Sequence, residues 1–139
     1  MSELPPPRPA KWIERGLHPA AREYYRRLRE ERRLATTRCE PCGRTEFPPR
    51  ERCPACGADE TWVELPLEGR LHAFTTQETA IRFAAPAVLA LAELGDVVVP
   101  GIAEAGYDEL SIGQRVRVEL RDEPQTGMTL LGFRPAPRS

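Results

Sequence analysis

The sequence predicts a mostly-β protein with one short N-terminal helix, a metal-organised segment and a small C-terminal barrel. Three observations carry this. A single apolar stripe of helical spacing occurs near the N-terminus. Four cysteines stand in two C-x2-C pairs, Cys39/Cys42 and Cys53/Cys56. After Thr61 the chain turns to short apolar or alternating runs separated by turn residues.

Residues 1–18 read as a Pro-rich extended tail. Pro5, Pro6, Pro7 and Pro9 oppose a helix. Trp12 and Ile13 give this tail a means of docking, on the chain's own body or on a partner. A helix is predicted over 19–34, within a segment bounded at 19–35. Pro19 suits its first turn, and Ala21, Tyr24, Tyr25 and Leu28 follow the i, i+3, i+4, i+7 spacing. Its other face is rich in Arg and Glu, with Glu23/Arg27 and Arg27/Glu31 spaced for weak ion pairs. A stripe this short needs a surface to lie against, and this chain or another protein could supply it.

The cysteine segment spans 36–62, where Thr36, Thr37, Phe47, Pro48 and Pro49 favour short strands and turns. The barrel segment spans 63–135. Leu71, Ala73 and Thr75 alternate with His72 and Phe74. Ala87 to Leu94 is a compact apolar run. Gly95-Asp96 fits a tight hairpin into Val97-Val98-Val99. Arg115 to Arg121 alternates polar and apolar residues, and Met128, Leu130 and Phe133 end the series. About five strands result, which suits a small closed or partly open barrel. Residues 136–139 are a polar tail.

Composition sets limits. A chain of 139 residues with 40% hydrophobic and 29% charged residues can fold, but 6% aromatics restrict its core. No signal-like or membrane-spanning apolar run is read, so a cytoplasmic location is expected. Reduced cytosolic thiols then point to metal before disulfides. Net charge is −1, unevenly spread: residues 1–56 hold 13 Lys and Arg against 8 Asp and Glu, and residues 57–139 hold 7 against 13. Nineteen of the 20 basic residues are Arg, Lys11 being the exception.

A two-residue spacer lets both sulfurs of a knuckle face one ion. Gly43 and Gly57 follow the second cysteine of each pair and can turn the chain beneath it. Two knuckles supply four ligands and leave no open position, which makes the expected site structural rather than catalytic. Disulfides or free thiols are the bland alternative, and iron competes with zinc for the same ligands. With all four cysteines so used, no thiol remains as a nucleophile. His18 and His72 lie in no motif, and there is no phosphate loop, nucleophile elbow or metalloprotease signature.

In order, the chain presents a helix, RCEPCG (38–43), FPPR (47–50), CPACG (53–57), Trp62-Val63-Glu64, GRLHAFT (69–75), AVLALAEL (87–94), SIGQRVRVEL (111–120) and GMTLLGFRPA (127–136). From about residue 20 to 135 this resembles the zinc-ribbon, OB-fold proteins associated with acyl-CoA metabolism. The resemblance implies a helix, a rubredoxin-like ribbon and a five-stranded OB barrel. It also implies one structural zinc and a non-catalytic subunit partnered with an acyl-CoA enzyme. Thiolase-like partners come first, in ketothiolase, acyltransferase or hydroxymethylglutaryl-CoA synthase assemblies. MaoC-type hydratases and a steroid side-chain aldolase are the alternatives. The segment Gln77 to Ala85 departs from the family's proline-rich loop and carries Ile81, Arg82 and Phe83.

The expected partner surface is Trp12, Tyr24, Tyr25, Leu28 and Phe47. Residues expected near CoA or substrate are Arg26, Arg27, Arg33, Arg82 and Phe83, since Arg suits phosphate contacts; a solvated helix face is the plainer reading for any one Arg. Nucleic-acid binding is the competing function, because ribbons and OB barrels both serve it. The acidic barrel half and its few aromatics speak against it.

Overall fold

The computed structural model describes residues 16–77, 87–124 and 127–137. The expected Pro-rich tail with Trp12 and Ile13, and the segment holding Arg82 and Phe83, lie outside the described residues.

Helix α1 (Pro19–Arg26) opens with proline in its first turn, and the His18 ring accepts the Ala20 N–H at 3.3 Å. The apolar stripe faces inward, with Tyr24 and Leu28 buried; Ala20, rather than the expected Ala21, is the buried residue of the first turn. The predicted span to residue 34 is too long. After Arg26 the chain continues as a wider π-helical turn, Arg27–Glu31, and stops at Arg32, which adopts a left-handed conformation (φ 56°). Leu34 and Ala35 are then needed in the core, where both are buried. The chain must leave the helix axis to put them there. On the charged face the expected Glu23/Arg27 pair forms, while Glu31 pairs with Arg26 rather than with Arg27. Arg26 gathers Glu23, Glu30 and Glu31 at 2.5, 3.1 and 2.6 Å, while Arg27 reaches Glu23 at 3.6 Å.

Three short strands come next: β1 (Ala35–Cys39), β2 (Arg44–Glu46) and β3 (Thr61–Glu64), in the antiparallel order β2-β1-β3. The two buried threonines of β1 find partners nearby. The buried Thr36 hydroxyl donates to the Glu46 carbonyl, and the Thr37 hydroxyl oxygen accepts the Arg50 N–H at 2.8 Å.

Five strands close the barrel: β4 (Glu68–Gln77), β5 (Ala87–Leu94), β6 (Val97–Ala103), β7 (Arg115–Asp122) and β8 (Thr129–Pro135), in the order β4-β5-β6-β8-β7. All pairings are antiparallel except β6–β8, and β7 returns to β4. Gly95-Asp96 forms the two-residue turn expected from sequence, with Leu94 opposite Val97 and Gly95 at φ 63°. The register of β4 shifts between Leu71 and Ala73, which breaks the simple alternation read there. Leu71 stays inside, and Phe74 packs edge-on against Tyr107, ring centroids 5.1 Å apart.

Inward residues of the strands, among them Ala92, Leu94, Val99, Val116 and Phe133, fill the barrel. Tyr24, Leu28 and Leu34 join the same apolar cluster. Helix, three-stranded sheet and barrel therefore share one core. The helix lies on its own chain, which answers the question its short stripe posed.

Candidate metal centre

The first knuckle connects β1 to β2, and the second lies in the loop between β2 and β3. In each, the glycine N–H closes a tight turn onto the first cysteine's carbonyl: Gly43 to Cys39 and Gly57 to Cys53, both at 2.8 Å. Gly43 and Gly57 take φ values of 70° and 77°. A residue with a side chain would be strained there. The β1–β2 pairing ends at Cys39 opposite Arg44, so the sheet itself presents the first sulfur. The isolated bridge between Arg52 and Asp59 closes the second loop.

These elements bring all four Sγ atoms within 4.8 Å of one another. Cys39 and Cys56 sulfurs stand 3.5 Å apart, and Cys42 and Cys53 sulfurs 3.8 Å. Sulfurs at the corners of a tetrahedron around an ion about 2.3 Å away would be about 3.8 Å apart. The spacing thus fits a four-thiolate metal site, and all four cysteines are free of disulfides. Cys39 and Cys53 are buried, and Cys42 and Cys56 are exposed.

The electrostatics agree. Backbone N–H groups of Cys56 and Ala55 pull the Cys53 thiol down to about 6. The Cys42 N–H favours the Cys39 thiolate, but burial and the neighbouring sulfurs outweigh it and the Cys39 pKa rises. Four thiols this close cannot all ionise unaided, and a divalent cation removes the conflict. The Cys53 sulfur and, after it, Cys42 hold the Arg44 guanidinium pKa above its ordinary value. Arg44 places positive charge beside the thiolates. No ligand position is left open for substrate.

The other residues singled out from sequence lie elsewhere. Tyr24 and Leu28, expected on a partner surface, are spent inside the chain. This corrects that expectation: the core needed the stripe. Tyr24 packs edge-on against Tyr25 and Phe47, with centroids 5.0 and 5.4 Å away. Tyr25 and Phe47 remain half-buried at that seam. Arg26 and Arg27, expected near CoA phosphates, are also engaged by this chain. Arg26 has its three glutamates, and Arg27 stacks over the Trp62 ring at 4.6 Å. Arg33 is exposed and pairs loosely with Glu64 at 3.5 Å.

Sequence reasoning missed the junction at Arg32. Its guanidinium clasps Asp122 at 2.7 and 3.1 Å across 90 positions of sequence. No local pattern announces such a pair. It also missed the apolar groove on the outer barrel wall, lined by Ala73, Phe74, Leu89, Leu91 and Pro100. The outward positions of the AVLALAEL run were the available signal.

A short helix, a four-cysteine ribbon and a closed five-stranded barrel sharing one core define a zinc-ribbon OB-fold protein. Comparison with known proteins gives the family. Residues 26–61 match the ChsH2 rubredoxin-like zinc ribbon domain, and residues 62–121 match the ChsH2 C-terminal OB-fold domain. The chain belongs to this ChsH2-type (DUF35) family, and its four cysteines are the ligands of one structural zinc ion. Among solved structures it resembles a chain of the Ltp2-ChsH2(DUF35) aldolase, with a TM-score of 0.76 and 26% identity over 88% of this chain and 98% of that one. A DUF35 protein of unknown function from Sulfolobus solfataricus shares the fold, at a TM-score of 0.63 and 16% identity, covering 91% of this chain and 92% of that one. A DUF35 domain-containing scaffold protein of Methanocaldococcus jannaschii is 26% identical over 123 residues, covering 81% of this chain and 87% of the relative. Among the described residues, no helix is long and apolar enough to cross a membrane.

Proposed function

We propose that this chain is a non-catalytic, zinc-binding accessory subunit of a cytoplasmic acyl-CoA enzyme complex. One observation carries the reading. The chain aligns along nearly the whole length of a chain from the Ltp2-ChsH2(DUF35) aldolase. The scaffold description of the archaeal relative supports the same role. So does the sequence, which commits every cysteine to the metal and leaves thiol chemistry to a partner.

The partner we infer is a thiolase-type catalytic subunit that cleaves or transfers acyl groups on CoA, with aromatic acyl-CoA compounds among the candidate substrates. The accessory chain supports assembly and the handling of CoA-linked substrate near the shared interface. Among the described members of the expected partner surface, Tyr25 and Phe47 keep exposed area. Among the described arginines expected near phosphate, Arg33 has the loosest hold within the chain. An aldolase partner is the second reading, favoured because the similar solved chain comes from an aldolase.

Co-expression with the products of adjacent genes, followed by affinity capture and size-exclusion chromatography, tests this. A stable hetero-oligomer whose acyl-CoA activity needs both chains is the expected result. If the chain captures nucleic acid and no thiolase, hydratase or aldolase, the proposal fails.

A further inference from the structure

We propose that Arg32, Asp122 and Thr129 form a clasp that sets how the zinc ribbon is seated on the barrel. No Gly or Pro directly follows residue 31 to stop the helix, yet the helix ends there. Arg32 takes φ 56° and ψ 40°, a conformation usually left to glycine at helix ends. For arginine this costs conformational energy. What holds it is visible. The two terminal guanidinium nitrogens donate to one Asp122 oxygen each, Nη1 to Oδ1 at 2.7 Å and Nη2 to Oδ2 at 3.1 Å. The Thr129 hydroxyl donates to Asp122 Oδ1 at 2.8 Å, and Arg32 also reaches that hydroxyl at 3.5 Å. Thr129 is buried at the start of β8, directly opposite Asp122 at the end of β7. The anchor is therefore the paired end of β7 and β8.

The path of the chain beyond Arg32 depends on this anchor. With Arg32 left-handed, the Arg32 and Arg33 N–H groups both fold back to the Arg27 carbonyl. Leu34 enters the core, its carbonyl accepts the Leu65 N–H at 3.0 Å, and β1 begins at Ala35. β1 ends at Cys39, a zinc ligand. The clasp thus fixes the point where the ribbon leaves the helix, and with it the angle that ribbon and barrel present to another protein. Arg32 is a positioning residue. The two side chains are 47% and 62% exposed, so the pair sets local geometry more than global stability.

Hydrogen exchange on the zinc-loaded full chain tests this. The amides of Arg33 and Leu65 report the junction, and the amide of Glu104, bonded to the Phe133 carbonyl at 2.8 Å, reports the barrel. Asp122→Asn and Arg32→Ala should each speed exchange at Arg33 and Leu65 roughly three- to tenfold, with Glu104 unchanged. Arg32→Lys keeps the charge but loses the two-pronged contact, and should fall between them and wild type. Exchange at Arg33 and Leu65 within about twofold of wild type in both Asp122→Asn and Arg32→Ala would overturn the proposal, as would equal acceleration at Glu104.

Discussion

Replacing Leu28 by alanine tests whether the N-terminal helix belongs to this chain's core or to a partner. The Leu28 side chain is fully buried in the cluster shared by helix, ribbon and barrel. Its neighbours include Tyr24, wedged against Phe47, and Leu131 on β8. Truncating a buried leucine removes its transfer free energy and leaves a cavity, at a combined cost of about 2–5 kcal/mol. The core here is held from three sides, so little collapse is available and the upper half of that range is expected. For a chain of this size each kcal/mol lowers Tm by roughly 3–4 °C. Leu28→Ala should therefore melt about 10–20 °C below wild type. Thermal and urea denaturation of the zinc-loaded chain alone, followed by circular dichroism, measures this. Leu67→Ala is the control, since Leu67 is 56% exposed and its loss should cost less than about 0.5 kcal/mol. A Leu28→Ala protein melting within about 2 °C of wild type, in the absence of any partner, would refute the reasoning.

Further outcomes are expected. Metal analysis should give one zinc per chain, and Cys53→Ser should abolish stoichiometric zinc and leave the ribbon unfolded or the protein insoluble. Zinc retention should weaken as pH falls, because the ligands bind metal as thiolates. The thiol pulled down to about 6 by backbone N–H groups, Cys53, should be among the last protonated; release monitored with a chromogenic chelator checks the direction, and retention that improves on acidification would contradict the assignment. Gly69→Ala should prevent normal folding, because its Cβ would lie 1.9 Å from the Glu93 carbonyl oxygen of β5; a soluble variant with wild-type Tm would show that the strands can part. Phe47→Ala should remove a ring packed on Tyr24 and lower Tm by several degrees, roughly 3–4 °C per kcal/mol lost.

Much of this architecture is local chemistry and so was legible in sequence. Two knuckles with glycine after each pair specify a metal site because a short spacer and a positive φ leave the chain few other ways to aim four sulfurs. The alternation of β7 and the Gly95-Asp96 hairpin follow from side-chain period and turn chemistry, which act over a few residues. The apolar stripe of α1 could be read, but not what it lies on. A stripe shows only that a face must be covered, and burial of Tyr24 and Leu28 within the chain follows from where the barrel sits. The end of the helix was misplaced for a related reason. The residues just after Leu28 carry no Gly or Pro to mark a stop, while a carboxylate 90 residues away and the core's need for Leu34 favour a break at Arg32. Arg26 and Arg27, expected near CoA or substrate, proved to be held by Glu23, Glu30, Glu31 and Trp62.

The parallel contact of β6 with β8 closes the barrel, yet nothing in either strand's sequence names the other as its neighbour. By itself, then, the sequence determined the ligand set, the strand content and the absence of a thiol beyond the metal site. Those depend on residue type and short spacing. Only the tertiary structure decided which faces are spent internally, where the helix stops and how the ribbon is seated. Those depend on groups brought together from distant parts of the chain, and no local pattern encodes that proximity.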